Sequence, residues 1–266
     1  MSPLGCDVAD GIAVLTIDNP PVNAVTVALA RTLGDAATEL DARDDVGVVI
    51  ITGAGDRVFS AGSDIAEFSG MLGPGEAVER KLRPQMIAFA ALAGMRTPTI
   101  AVLNGLCLGG GLEIAACCDL IVAEDHVLVG SPEIKLGVFP SSGGTFRLAR
   151  RIGPGRAKEM QLLGEPVTAE TALQWGLINR IAPRGQGMRV ARELAAVLLA
   201  RPPRALGLCK SVINATPDLD EAALTARSLD ASEQAFTSAE CVEGVRAFFA
   251  KQVPDFRATS SSGAGS

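Results

Sequence analysis

The chain has 266 residues, 48% of them hydrophobic and 20% charged, which suits one large globular core, alone or with an appendage, and excludes a disordered chain. Its 24 basic and 30 acidic residues give a net charge of −6, and it holds no tyrosine and one tryptophan, which argues against a general nucleic-acid surface or a base-stacking platform. Six cysteines without C-x-x-C spacing and a lone histidine, His126, read as reduced thiols and a solvated side chain rather than as a metal site. The start shows no signal-peptide pattern and no run reaches a membrane span, so a soluble cytoplasmic protein is expected.

Along the chain, residues 12–17 read as a strand, stopped by Asp18-Asn19-Pro20-Pro21. Residues 26–42 have helical spacing, with Leu29, Leu33, Ala37 and Leu40 recurring at intervals of three and four. Residues 46–52 are β-branched without polar alternation, the mark of a strand buried on both faces. A Gly- and Ser-rich loop with a short helix fits 60–75, a helix 83–95, a second buried strand 99–103 and a helix 110–118. Strands follow at 120–123, 127–129 and 178–181, with helices over 143–152, 155–163 and 168–175. This alternation predicts an α/β fold. From about 188 the pattern is helical only, over 190–200, 204–214, 221–236 and 239–251. The expected division is a core over 1–187, a helical region over 188–256 and a low-complexity, disordered tail over 257–266.

Two carboxylates stand out, Glu113 after Gly109-Gly110-Gly111-Leu112 and Glu133 in Gly130-Ser131-Pro132-Glu133-Ile134. Both interrupt apolar sequence, where a carboxylate is rarely buried unless paired or used, so together they suggest a site that moves a proton. The glycine triplet after a strand can offer helix N-terminal N–H groups to an anion, or can be a tight strand-to-helix turn. Phe59-Ser60-Ala61-Gly62-Ser63-Asp64-Ile65 is a second small-residue turn, either a partner N–H donor for an oxyanion hole or a loop in which Asp64 caps a helix. Neither G-x-G-x-x-G nor G-x-S-x-G occurs, so a dinucleotide fold and a nucleophile elbow are unsupported.

These segments, with Thr52-Gly53, Pro98-Thr99-Ile100-Ala101-Val102-Leu103-Asn104-Gly105, Cys118-Asp119, Pro132-Glu133-Ile134-Lys135-Leu136-Gly137 and Pro140-Ser141-Ser142-Gly143-Gly144-Thr145, resemble the enoyl-CoA hydratase/isomerase (crotonase) family in order and spacing. The resemblance implies an α/β spiral of ββα units with a C-terminal helical region that packs trimers or dimers of trimers. It implies acyl-CoA thioesters as ligands, with coenzyme A part of the substrate, no metal and no further cofactor. The oxyanion donors fall on the backbone N–H groups of Ser63 and Gly110, and the two hydratase carboxylates on Glu113, which would hold water, and Glu133, which would donate the proton. Contacts to substrate and CoA fall on Ala61, Asp64, Ile65, Gly109, Pro132, Ser141, Phe248 and Lys251. Ser63 stands where alanine is common, Ala66 where many members carry lysine, and Ser141 where glycine is common.

The implied reaction is hydration of a trans-2-enoyl-CoA to a 3-hydroxyacyl-CoA, as in fatty-acid β-oxidation. Double-bond isomerisation or another family reaction on a specialised acyl-CoA is the alternative. An RNA-binding, non-catalytic member is a third reading, against which the acidic balance weighs. The acyl pocket corresponds to 69–93, where Met71, Leu72, Met86, Ile87, Phe89 and Leu92 suggest an apolar chain.

Overall fold

The computed structural model describes residues 2–257; the expected disorder of the tail concerns residues that lie almost wholly outside this range. The strands β1 (Leu4–Ala9), β2 (Ile12–Ile17), β3 (Val48–Gly53), β5 (Thr99–Leu103), β7 (Leu120–Glu124) and β10 (Arg180–Ala182) form one six-stranded sheet in that order. From β2 onward its neighbours are parallel, and β1 adds an antiparallel edge. The short strands β4 (Val58–Ser60), β6 (Leu106–Leu108), β8 (Leu128–Gly130) and β9 (Val167–Thr168) form a second, four-stranded sheet.

The chain alternates between the two sheets. β3 and β4 lead to α2 (Arg83–Gly94), β5 and β6 to α3 (Gly110–Cys117), and β7 and β8 to α4 (Gly144–Leu163), while α1 (Val27–Asp41) joins β2 to β3. Each unit places its first strand in the large sheet and its second in the small sheet before its helix, and three such units stack into a spiral in which α3 is buried along its whole length. α4 breaks at Gly153, whose φ of 75° and ψ of 159° are not helical, as the separate helices expected over 143–152 and 155–163 require.

Strand pleat explains the unbroken apolar runs. Val49 and Ile51 enter the main core with Leu15, Ala101, Leu103 and Ile121, under α1, α2 and α3. Val48 and Ile50 point the other way, into a smaller cluster with Ile100, Val102, Val122, Ala191 and Ala195. The last two belong to α6 (Gly187–Leu199), so the first C-terminal helix covers the second face of the large sheet. The boundary expected at 187/188 falls just inside it.

After α5 (Ala169–Gln174) and α6 come α7 (Pro203–Ala215), α8 (Glu221–Phe236) and α9 (Ala239–Ala250). Asp119 ties α7 to the core: its Oδ2 accepts from Lys210 Nζ at 2.7 Å and from Thr99 N at 2.8 Å. The Glu240 carboxylate accepts from Arg204 N at 2.9 Å and Ala205 N at 3.3 Å, so α9 caps the start of α7.

Asn104, just after β5, ties the end of that strand to the end of β3 and the turn after it. Its Oδ1 accepts from Gly53 N at 3.1 Å, and its Nδ2 donates to the carbonyls of Gly53 at 2.9 Å and Gly55 at 2.8 Å. Asn104→Ala leaves these backbone groups unpaired in a 9% exposed position. It is expected to lower unfolding free energy by about 2–3 kcal/mol in urea titration at fixed protein concentration.

Candidate active site

A cleft of about 200 Å³ opens where the turns after β4 and β6 meet the segment after β8. Two features of the backbone bring the first two turns together. Gly62 has φ of 105°, and a Cβ there would lie 3.2 Å from the Leu108 carbonyl oxygen. Gly109, at φ of 49°, turns β6 into α3, and a Cβ there would lie 2.9 Å from Glu133 Oε1. Behind them Gly111 packs on Ser60, its Cβ position being 2.6 Å from the Ser60 Cβ. The glycine triplet is thus both turn and close packing.

Ser63 forms a parallel bridge with Val25. Val25 N donates to Gly62 O at 2.8 Å, and Asp64 N donates to Val25 O at 3.2 Å. In this pattern the intervening Ser63 N–H turns away from Val25. Gly110 adjoins it, its Cβ position lying 3.4 Å from Ser63 Oγ, and as the first residue of α3 it carries one of that helix's unpaired N–H groups.

Glu113 is 4% exposed, on the first turn of α3. Its Oε1 accepts from Ser142 N at 2.9 Å and Gly144 N at 2.8 Å, at the start of α4. Burial pushes its carboxyl above the ordinary range, while these two N–H groups and, less strongly, Arg147 and Lys81 pull it back. Glu133 lies in the 3₁₀ segment Pro132–Leu136, held by Pro132 at its start and by Gly137 at φ of 75° at its end. Burial, followed by the nearby Glu113 charge, pushes its carboxyl up to about 7, against a hydrogen bond from its own backbone. Its Oε2 is buried and takes no hydrogen bond from the described residues. The two glutamates differ in support: one is held by N–H donors and one is left open to a ligand or water.

Most of the residues expected at the site do meet there. Ala61, Ser63, Ile65, Gly109, Pro132 and Ser141 line the cleft with both glutamates. Asp64 instead caps the 3₁₀ segment Ile65–Gly70, its Oδ1 accepting from Ala66 N at 2.9 Å, which is the capping alternative read from the sequence. Phe248 and Lys251, at the end of α9, are exposed and do not line the cleft within this chain. Of the apolar residues expected to shape an acyl pocket, Met71 and Leu72 line the cleft. Phe89 and Leu92 are fully buried in the core, and Met86 and Ile87 face outward. The helical wall is made instead by Ala77, Lys81, Leu82 and Gln85.

Ser142, Gly144, Lys81 and Gln85 therefore escape a reading based on residue type. The signal for the first pair lay in the Ser142-Gly143-Gly144 turn opening α4, where free N–H groups can receive a carboxylate. His126 lies in the β7–β8 turn, its Nδ1 3.8 Å from both Glu124 and Asp125, and does not line the cleft. Among the described residues no cluster of three potential metal ligands occurs, and no helix is long and apolar enough to cross a membrane.

The sequence profile described as enoyl-CoA hydratase/isomerase matches residues 7–259. A probable enoyl-CoA hydratase of Mycobacterium tuberculosis is 35% identical over 248 residues, covering 92% of this chain and 94% of that protein. A carnitinyl-CoA dehydratase of Salmonella typhi is 35% identical over 250 residues, covering 91% and 94%. The crystal structure of an enoyl-CoA hydratase from Bacillus anthracis superposes with a TM-score of 0.90 at 30% identity, covering 96% of this chain and 99% of that one. A match over nearly the whole length, carried by the same spiral of ββα units, makes this chain a member of the enoyl-CoA hydratase/isomerase family, with the crotonase fold.

Proposed function

We propose that the protein hydrates trans-2-enoyl-CoA thioesters to 3-hydroxyacyl-CoA, using Glu113 and Glu133 and no metal or further cofactor. The observation that carries this reading is the unequal pair of carboxylates in one cleft, Glu113 buried and Glu133 partly buried. The N–H groups of Ser63 and Gly110 hold the thioester oxygen as an enolate develops, a role worth about 3–4 kcal/mol per donor in comparable sites. Glu113 carries the negative charge, because two backbone N–H groups stabilise its anion. It takes a proton from water as the water oxygen bonds to C3. Glu133, whose carboxyl burial raises to about 7, gives its proton to C2 from its protonated form. The next water returns a proton from Glu113 to Glu133, so one molecule of water is consumed in each cycle. The same steps run backwards serve dehydration, the activity named for the carnitinyl-CoA dehydratase relatives.

Exposed large apolar side chains, including Leu229 and Phe236 of α8 and Val242 and Phe249 of α9, support assembly as a homo-oligomer, a trimer or a dimer of trimers. In such an assembly Phe248 and Lys251 would serve a neighbouring subunit's cleft.

Glu133→Gln removes the transferable proton and keeps the shape of the side chain. Loss of conjugated thioester absorbance with crotonyl-CoA is expected to slow about 10²–10⁴-fold, with binding of the saturated analogue retained. A retained rate would favour a route without Glu133.

The raised Glu133 carboxyl also sets a pH dependence of stability. Between the ordinary value of 4.5 and about 7, the folded state holds a proton that the unfolded state has released. Wild-type stability therefore falls as pH rises through this window. Glu133→Gln lacks that loss, so its stability relative to wild type is expected to rise by about 2–3 kcal/mol between pH 4.5 and 7.5, read from urea midpoints.

A further inference from the structure

The helical wall of the cleft holds a second polar feature that hydration does not use. Ala77, Lys81 and Gln85 recur at intervals of four and line the cleft together. Gln85 is 1% exposed, and its Oε1 accepts from Ser142 Oγ at 3.1 Å. Ser142 N in turn holds Glu113, so the Gln85 amide is one residue from the reacting region. Its Nε2 is buried with no hydrogen-bond partner among the described residues. Three buried side-chain atoms share that condition, Gln85 Nε2, Ser131 Oγ and Glu133 Oε2, and two of the three residues line this one cleft. An unpaired buried amide is costly, and a site for plain hydrocarbon would be better served by leucine or methionine here.

Lys81 stands one turn away at 2% exposure. It donates to Glu67 Oε2 at 2.7 Å and to Val25 O at 3.2 Å, which leaves one of its three N–H groups. The local charges are Glu67 and Glu113, joined by Glu133 only when it is ionised, against Lys81 and Arg147, whose Nη1 donates to Ser142 O. This balance gives no excess positive charge for an anion, so an uncharged oxygen is the better partner for the free donor.

We propose that Gln85, with Lys81 beside it, selects an acyl group that carries a neutral hydrogen-bond acceptor, a hydroxyl or keto oxygen, beyond the reacting carbons. The inference rests on the acyl-CoA reading above and deepens it from an apolar chain to an oxygenated one.

Equilibrium binding by calorimetry to hexanoyl-CoA, 5-oxohexanoyl-CoA, 6-hydroxyhexanoyl-CoA and adipoyl-CoA tests it on wild type and Gln85→Met. These ligands have no 2,3 double bond, so the ranking does not depend on hydration. The oxo or hydroxy ligand is expected to bind wild type about tenfold or more tighter than hexanoyl-CoA. Adipoyl-CoA, whose far end is charged, is expected to bind no tighter than hexanoyl-CoA. In Gln85→Met the preference should fall to about one. Equal or tighter binding of hexanoyl-CoA, tightest binding of adipoyl-CoA, or a preference unchanged in a folded Gln85→Met would each overturn the proposal. The wild-type ranking decides alone if that variant does not fold. Failure to hydrate any 2-enoyl-CoA alongside the expected ranking would remove the hydratase reading and leave this one standing.

Discussion

The close approach of two backbone turns, at Gly62 and Gly109, sets the geometry on which the rest of the site depends. Parallel pairing of β4 with β6 brings the ends of two successive ββα units side by side, and a side chain at either position would meet a positive φ and crowd the Leu108 carbonyl or the Glu133 carboxylate. Val25, from the segment before α1, braces the Gly62–Asp64 turn by bonding to it on both sides. Lys81 donates to the same Val25 carbonyl and Glu67 accepts from Val27 N, so their partly buried ion pair fixes the brace. Backbone held in this way needs no reorganisation when a charge develops on a ligand, which is the condition under which fixed dipoles are most effective.

The second constraint is electrostatic. Placing two carboxyl groups in one cleft of low polarity penalises charging both, and the fold resolves this by unequal treatment. The start of α4 is directed at Glu113, giving it two N–H donors where a helix end favours negative charge. Glu133 receives no comparable support for its Oε2. An unpaired buried oxygen is tolerated in a folded protein where a ligand or water completes it. The structural cost therefore falls at the point where chemistry is proposed, and the stability of the sheets elsewhere absorbs it.

The fold was legible wherever burial covered both faces of a strand or one stripe of a helix. Residues 12–17, 99–103 and 221–236 coincide with β2, β5 and α8 because apolar patterning and flanking turns agree there. β1 carries no clear sequence signal because it is an edge strand with mostly exposed residues, and β4 and β6 carry none because three residues are too few to show a period. Both glutamates and the two turns were visible as polar or glycine interruptions of apolar sequence. The acyl wall was not, for a reason of phase. A π segment, Val78–Leu82, precedes α2 and shifts the rotation of that helix, and α2 is apolar on several sides. Residue type alone then picks Met86, Ile87, Phe89 and Leu92, whereas the backbone turns Lys81 and Gln85 to the cleft. The roles of Ser142 and Gly144 are carried by main-chain N–H groups, which side-chain identity does not report.

The proposed pairing of the Ser63 and Gly110 N–H groups on one thioester oxygen can be tested without turnover. An isotope-edited infrared difference spectrum of butanoyl-CoA labelled with ¹³C at its thioester carbon, bound to the protein, reads the carbonyl bond directly. Two donors on that oxygen weaken the bond, so the band is expected to move to lower frequency than in free solution. A bound thioester whose carbonyl band stays at its solution frequency would contradict an oxyanion hole formed by these two turns.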